Sequence, residues 1–345
     1  FFAAMSVGKL GQSSSGKGIL TMLRENNDQD LYLRHAGVMA LVGIGDRDAL
    51  IAASGDESAV VRMAVLLAYR KMEDQGVSRF LSDAEPLLAV EAARAINDVP
   101  ILSAMPALAD ALSGFDPASF SSDLASETDL VTPMVRRMVN ANFRLGATKN
   151  LTALVAFSAK PEISEALRSE ALERIGEWSD PSPRDKVVGL YRPITDKRAT
   201  DVIPHVEPSI RKLIKGASTP VPVAVAAANA AGNLEVIKLE AELLELVIDI
   251  AGETELRVAA LSALSRIDSS GFGEAMDVAR KDFAVELRKA ATRLQANVDP
   301  SIAAPQLNAV LVEGSIAEQQ VALATLATMD GSVSDEIILR WFGKY

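Results

Sequence analysis

The sequence predicts an all-α fold of stacked helical hairpins, and three observations point to it. An aliphatic residue, usually followed by Arg and then by Ala two residues later, recurs along the chain at a near-constant spacing. Each copy lies in an apolar stripe of helical periodicity. Only 5% of the residues are aromatic although 49% are hydrophobic, which suits close-packed Ala- and Leu-rich helices better than a β-sandwich. We therefore expect a right-handed α-α superhelix of roughly nine to ten hairpins.

The clearest copies of this phrase set the register of the repeat, and they occupy residues 33–36, 61–64, 256–259 and 287–290. Weaker copies centre on Glu91, Arg136, Arg168, Ala224 and Gln320. Most copies follow the previous one by 28 to 33 residues, which is the length of one hairpin of two helices. Both helices of a hairpin are apolar, so one hairpin cannot bury both of them and each must stack on the next.

The ends of the first helices carry capping residues. Residues that favour helix N-caps precede the apolar stripes, namely Asp30, Ser58, Thr254 and Asp282. Glycines that suit helix C-termini follow them, namely Gly43, Gly45, Gly146 and Gly232. We also expect each repeated Arg to reach an acidic residue about six positions upstream, such as Asp28, Asp56 or Asp282, and so to fix the register of the stack.

The domain organisation follows from the turn-forming residues. We expect one repeat array over 1–345, with sub-arrays at 1–177 and 223–345 on either side of an irregular insert at 178–222 that is rich in Pro and Ser. A second loop, 114–129, explains the longer spacing between two copies. Aligning Gly11 with Gly45 places a register position before Phe1, so we expect the chain to be a piece of a longer protein.

The composition argues against several classes of function. A net charge of −11 argues against a nucleic-acid surface, which needs a basic stripe. No apolar stretch is long and uncharged enough to span a membrane. The chain has no Cys, and its two histidines, His35 and His205, are far apart in sequence, so we expect no metal site.

Residues 11–18 nearly match the sequence pattern of a phosphate-binding loop, but Gly18 stands where that pattern needs a hydroxyl residue, which favours a plain turn between helices. We expect no catalytic residue in this chain.

Three stretches resemble a known family: 91–98 (EAARAIND), 140–146 (NANFRLG) and 178–193 (WSDPSPRDKVVGLYRP). They are similar to the HEAT-repeat region of large bacterial membrane-bound-dehydrogenase-type proteins, and the similarity covers most of the chain. In that family a propeller resembling sorbosone or quinone-dependent glucose dehydrogenases precedes the HEAT array, and a c-type haem-binding domain follows it. The resemblance implies a HEAT-like, armadillo-type solenoid within an exported, periplasmic oxidoreductase.

The resemblance assigns no cofactor to this chain, since haem c and a quinone or similar group would belong to flanking domains. We expect the chain itself to be a non-catalytic scaffold that holds neighbouring domains or a partner protein. The resemblance places the second helices of the hairpins on the concave side, where the acidic stretch 234–250 would suit a basic partner such as a cytochrome. The alternatives are a stand-alone regulatory or assembly adaptor with repeats like those of phycobilin lyases, an enzyme like the HEAT-like DNA glycosylases, or a small-molecule site at 178–193.

Nine residues form the candidate interaction surface, chosen from the insert, from the acidic second helix and from the end of the array. They are Trp178, Asp180, Arg184, Tyr191, Arg192, Glu235, Glu242, Trp341 and Phe342. The last two residues allow two interpretations, since their rings fit either the core of the last hairpin or a contact surface for a following domain.

Overall fold

The computed structural model describes residues 1–117, 129–298 and 300–343, and in these residues the protein is all-helical. The described residues contain no strand, and the nearest approach to one is an isolated antiparallel bridge between Arg184 and Tyr191. The predicted all-α class is confirmed. Most of the predicted loop at 114–129 lies outside the described residues.

The chain divides into two compact units. Unit 1 comprises Phe1–Ile163 and Pro181–Ala199. Its helices are α1 (Phe2–Leu10), α2 (Gly16–Asn26), α3 (Leu31–Ile44), α4 (Arg47–Ala53), α5 (Ala59–Met72), α6 (Pro86–Asp98), α7 (Met105–Ala111), α8 (Val131–Leu145) and α9 (Thr148–Ser158). A 3₁₀ helix, Gln75–Phe80, takes the place of the second helix after α5.

Unit 2 comprises Ser164–Asp180 and Thr200–Tyr345. Its helices are α10 (Glu165–Gly176), α11 (Ile203–Lys215), α12 (Val221–Asn233), α13 (Glu240–Ile248), α14 (Thr254–Arg266), α15 (Phe272–Arg280), α16 (Val285–Leu294), α17 (Pro300–Glu313), α18 (Ile316–Leu326) and α19 (Ser332–Phe342). The segment 178–222, predicted as an irregular insert, thus contains the whole of α11 and the start of α12.

Within each unit the first helices of successive pairs pack in a row. In unit 1 the order of contact is α1, α3, α5, α6 and α8, and in unit 2 it is α10, α12, α14, α16 and α18. Second helices pack mainly against the first helix of the following pair, as α7 does on α8 and α13 does on α14, and α15 contacts both α14 and α16. This is the arrangement that the obligatory burial of both apolar helices requires.

Small residues let the first helices approach closely. A Cβ added at Gly43 of α3 would lie 2.4 Å from the carbonyl oxygen of Gly8 in α1. One added at Gly232 of α12 would lie 2.7 Å from the Cα of Ala263 in α14. These glycines therefore serve as contact points between helix backbones rather than as the helix ends that the sequence predicted. Gly45 and Gly146 do end α3 and α8 in the left-handed conformation, as expected.

The predicted N-caps hold in part. Asp30 accepts hydrogen bonds from the backbone N–H groups of Tyr32 and Leu33 at the start of α3. Ser58 occupies the N-cap position of α5 but makes no side-chain bond there, and Thr254 lies inside α14 as its first residue. The expected caps are therefore confirmed at Asp30, correct in position at Ser58, and wrong at Thr254 and Asp282, since Glu253 and Ala284 occupy the N-caps of α14 and α16.

A recurrent Arg–carboxylate clamp joins one first helix to the next. Arg62 of α5 binds both oxygens of Asp83 at 2.8 Å, just before α6 begins. Arg257 of α14 binds the Asp282 Oδ2 at 2.6 Å, just before α16 begins. In each case the same carboxylate also accepts a backbone N–H two residues on, from Glu85 in one and from Ala284 in the other. One carboxylate thus fixes both the start of a helix and its position against the preceding pair.

Arg288 of α16 repeats this device with Glu318 of α18, at 2.6 Å. Glu318 also accepts the backbone N–H of Ser315 and completes a capping box there. Of the three upstream partners named from the sequence, Asp28 pairs with its Arg, Arg34, through the side-chain carboxylate. Arg62 and Arg288 instead donate to the backbone carbonyls of their upstream residues, Asp56 and Asp282.

We expect Gly232→Ala to destabilise unit 2 by about 1–3 kcal/mol, because its methyl group would overlap the α14 backbone at Ala263. Gly273→Ala in α15 is the matched control, since nothing lies within 4 Å of the added methyl. The control should stabilise the unit by about 0.5–1 kcal/mol through helix propensity. Urea unfolding followed by circular dichroism measures both; equal effects at the two glycines would contradict the close approach.

The Arg288 clamp gives unit 2 a pH-dependent stability. The hydrogen bond from Arg288 is the largest influence that lowers the pKa of Glu318, from 4.5 to about 2. A lowered pKa means that the stabilisation is complete above about pH 4.5 and is lost as the pH falls toward 2. Glu318→Gln should therefore unfold at lower urea than the parent at pH 7, and the two should converge near pH 2. Glu313→Gln, at an exposed site on α17, should leave the pH profile unchanged.

Candidate functional site

The nine predicted surface residues are divided between the two units. Trp178 and Asp180 belong to unit 2, and Arg184, Tyr191 and Arg192 belong to unit 1. The prediction for Trp178 is wrong, because its side chain is 0% exposed and forms part of the core. Asp180 is exposed.

Two carboxylates of the acidic second helix, α13, form ion pairs with the neighbouring helix α11. Glu242 pairs with Arg211 of α11, and Glu245 lies 3.7 Å from Lys215 of the same helix. Glu235 is exposed, with a positive φ of 54° at the turn after α12. The stretch 234–250 therefore presents fewer unpaired carboxylates than its sequence indicates.

The two rings at the end of the array differ in environment. Trp341 is half-buried and packs on a core cluster of α17, α18 and α19 that includes Leu307 and Leu326. Phe342 is exposed and meets Trp341 edge-to-face at 5.3 Å between ring centroids. Of the two interpretations, Trp341 fits the core of the last hairpin.

Of the three remaining candidates, Arg184 and Tyr191 lie on a short turn, 184–191, which we call the anchored turn, and Arg192 directly follows it. The backbone N–H of Asp185 donates to the carbonyl of Leu190 at 2.9 Å, and the N–H of Arg192 donates to the carbonyl of Pro183 at 2.8 Å. These two bonds close an antiparallel turn with no regular strand on either side. The turn-forming residues of this segment, which the sequence shows, explain why it does not continue as helix.

Asp185 is the anchor of this turn. Its side chain is fully buried, and Oδ1 accepts the backbone N–H groups of Val187 at 2.9 Å and Val188 at 3.1 Å. Oδ2 accepts the Asn140 side-chain amide at 2.9 Å and lies 3.5 Å from the Arg144 guanidinium. Burial by itself raises the pKa of Asp185, but these hydrogen bonds and the nearby cation lower it overall, so the carboxyl group stays ionised.

The anchored turn contacts a buried polar network on the first helices α6 and α8. The Asn140 amide donates to Asn97 Oδ1 at 2.8 Å as well as to Asp185. Arg192 donates to the backbone carbonyls of Asn97 and Asp98 at 3.1 and 2.7 Å, and so satisfies the C-terminal end of α6. Arg137 of α8 binds both oxygens of the Asp98 side chain. Polar contacts therefore hold the segment Pro181–Ala199 to α6 and α8 of the same unit.

The tip of the anchored turn faces solvent. Leu190 is 53% exposed and Tyr191 is 70% exposed. Arg184 and Lys186 are exposed beside them. Of these residue types, Tyr and Arg are enriched at protein interfaces and among the residues that dominate binding.

The two units differ sharply in charge. Among the described residues, unit 1 carries twenty Lys and Arg against nineteen Asp and Glu, whereas unit 2 carries fourteen against twenty-four. Within unit 1 the cations concentrate in 129–163 and 181–199, which hold ten of them against four carboxylates. The surroundings of the anchored turn are therefore basic in a chain whose net charge is −11.

Sequence reasoning missed Asp185 and Asn140 as the residues that position this turn. A signal for Asn140 was present, because it stands four residues after its register position, where three of the four clearest repeats carry an aliphatic residue (Val38, Leu66 and Leu261) and the fourth carries Thr292. A polar residue at a core position needs a buried partner. No signal of that kind marks Asp185, which belongs to no repeat.

We searched the described part of the chain for two further features. It holds no group of three or more His, Asp or Glu side chains placed to bind a metal ion. No helix in it is long and apolar enough to cross a membrane. A comparison of the chain with protein-family models and with curated proteins found no match.

We expect Asp185→Asn to loosen the anchored turn while the helices remain folded. The new amide would place an N–H group against the Asn140 amide, so two donors would face each other in a buried site. Hydrogen exchange of the Val187 and Val188 amides should speed up by at least tenfold, since about 1.4 kcal/mol corresponds to that factor. Asp196→Asn, at an exposed site in the same segment, is the control; unchanged exchange in Asp185→Asn would contradict the role of the anchor.

Proposed function

We propose that this chain is a non-catalytic helical-repeat scaffold that binds a partner protein through the anchored turn. The single observation behind the proposal is a fully buried Asp185 carboxyl group, held by backbone and side-chain hydrogen bonds, beneath a turn whose Leu190 and Tyr191 side chains are exposed. Taking a carboxylate out of water is costly unless partners surround it. Here the hydrogen bonds to Asp185 hold in place a turn that buries few apolar side chains of its own.

The chemistry of the turn selects the kind of partner. Arg184 and Lys186 stand beside two apolar side chains, and the surrounding part of unit 1 carries an excess of cations. A partner surface with carboxylates around an apolar patch complements this arrangement. The first partner class is therefore an acidic protein surface.

The wider setting of the scaffold is also a proposal. Packing of first helices in a row supports a right-handed HEAT-like superhelix within each unit. The resemblance of 91–98, 140–146 and 178–193 supports a place in an exported, periplasmic dehydrogenase with a propeller before this array and a haem-binding domain after it. A stand-alone adaptor is the second candidate, and the reading frame on both sides of this segment distinguishes the two, since only the first requires a Cys-x-x-Cys-His motif downstream.

The proposed site makes a direct prediction for binding. The probe is a fluorescein-labelled synthetic peptide in which Glu and Leu alternate, and its anisotropy is measured against increasing protein. Tyr191→Ser should weaken its binding about tenfold or more, the size expected for truncating an aromatic residue at the centre of an interface. Tyr32→Ser is the matched control, since Tyr32 is an exposed tyrosine of the same unit outside the turn.

Three results would contradict this function. The first is equal binding of the peptide by the parent protein and Tyr191→Ser. The second is an equal loss in Tyr32→Ser, which would indicate general attraction to unit 1. The third is no binding of the Glu–Leu peptide at any concentration tested.

A further inference from the structure

Unit 2 carries an aromatic residue that its own fold does not use. Phe283 is 97% exposed, and Ile250 is 78% exposed. They lie in the turns that precede two successive first helices, α16 and α14, and together with Val278 they line a groove of about 660 Å³. We call this surface the Ile250–Phe283 patch.

The exposure of Phe283 does not come from a loose loop. Asp282, immediately before it, is buried in the clamp with Arg257, and the N–H of Ala284, immediately after it, donates to Asp282 Oδ1 at 2.8 Å. The carbonyl of Phe283 itself accepts a hydrogen bond from Arg288 at 3.0 Å. The backbone is fixed on both sides, so the ring is held out in solvent.

The repeat pattern identifies Phe283 as an exception. It stands five residues before the register position of its repeat, and the equivalent positions of the other clear copies carry Gln29, Glu57 and Gly252. Polar or small residues thus satisfy the stacking at this turn, and a large ring is not needed for it. Exposed apolar side chains grouped in a groove and rimmed by charge are typical of interaction sites.

The charges around the patch indicate the sign of its partner. Glu274, Asp277 and Asp282 line the groove against one cation, Lys281. Asp277 and Asp282 have their own Arg partners, Arg280 and Arg257, so Glu274 provides the free negative charge inside the groove.

The surroundings of the patch add to that charge. Asp249 and Glu253, both exposed, flank Ile250 on its turn. The whole of unit 2, in its described residues, has ten more carboxylates than cations. The rim and its background are therefore acidic.

We propose that the Ile250–Phe283 patch is a second docking site, which binds a cationic, apolar segment of a partner protein. Apolar side chains of the segment cover Ile250, Val278 and Phe283, and Lys or Arg side chains on either side meet Glu274 and the acidic turn at 249–253. The site is independent of the anchored turn, because it lies in the other unit and its charge is of opposite sign. The scaffold thus has two binding sites with different specificities.

The test uses the full chain and a fluorescein-labelled synthetic peptide in which Lys and Leu alternate. Phe283→Ser and Ile250→Ser should each weaken its binding about tenfold, and Glu274→Lys should weaken it too. Ile316→Ser is the matched control, because Ile316 of α18 is 75% exposed in the same unit and lies outside the patch. Tyr191→Ser should leave Lys–Leu binding unchanged, which separates this site from the proposed function.

Each alternative result has a definite meaning. Binding that is lost in Phe283→Ser and kept in Ile316→Ser supports the site. Binding that disappears with salt and ignores Phe283 and Ile250 would show general attraction to an acidic unit and would overturn it, as would no binding at all. Sedimentation of the chain without peptide measures self-association. If the chain self-associates and Phe283→Ser abolishes this, the patch binds a second copy of the chain and the proposal is overturned.

Discussion

The structure depends on one constraint, which is that no pair of helices here can bury its own apolar faces. Each first helix therefore packs on the next, and the distance between them is set where Gly43 meets Gly8 and Gly232 meets Ala263. Backbones this close leave no room for side chains at the contact. Register along the row then comes from charge: Arg62, Arg257 and Arg288 each reach a carboxylate that also fixes the start of the following first helix.

The same physical arrangement holds the surface features in place. Asp185 and Asp282 are both buried carboxylates with backbone and side-chain partners, and each fixes a turn that carries exposed apolar side chains. In the first case the partners come from α8 and from the turn itself, and in the second they come from the clamp that orders the stack. The scaffold and its candidate binding surfaces are therefore built from one kind of interaction.

The sequence predicted the helices well and the surface poorly, for reasons that particular residues illustrate. Periodic apolar positions and repeated Arg residues mark the first helices, because every copy faces the same packing problem. Trp178 was expected on the surface since it opens a Pro-rich segment, but burial depends on neighbours from other helices that no local pattern reveals. Asp185 finds its partner Asn140 across 45 positions of sequence, and only the folded chain brings the two together.

Tyr191 sits on a turn whose shape is set before any other molecule arrives, because Asp185 already holds it from beneath. Association with a preorganised surface loses less conformational entropy than association with a loop that must first become ordered. For the proposed partner, a modest contact area would then be enough for a useful affinity, and association would need no slow rearrangement of the turn. One buried carboxylate thus gives the turn a fixed shape, and a partner would not have to order the turn as it binds.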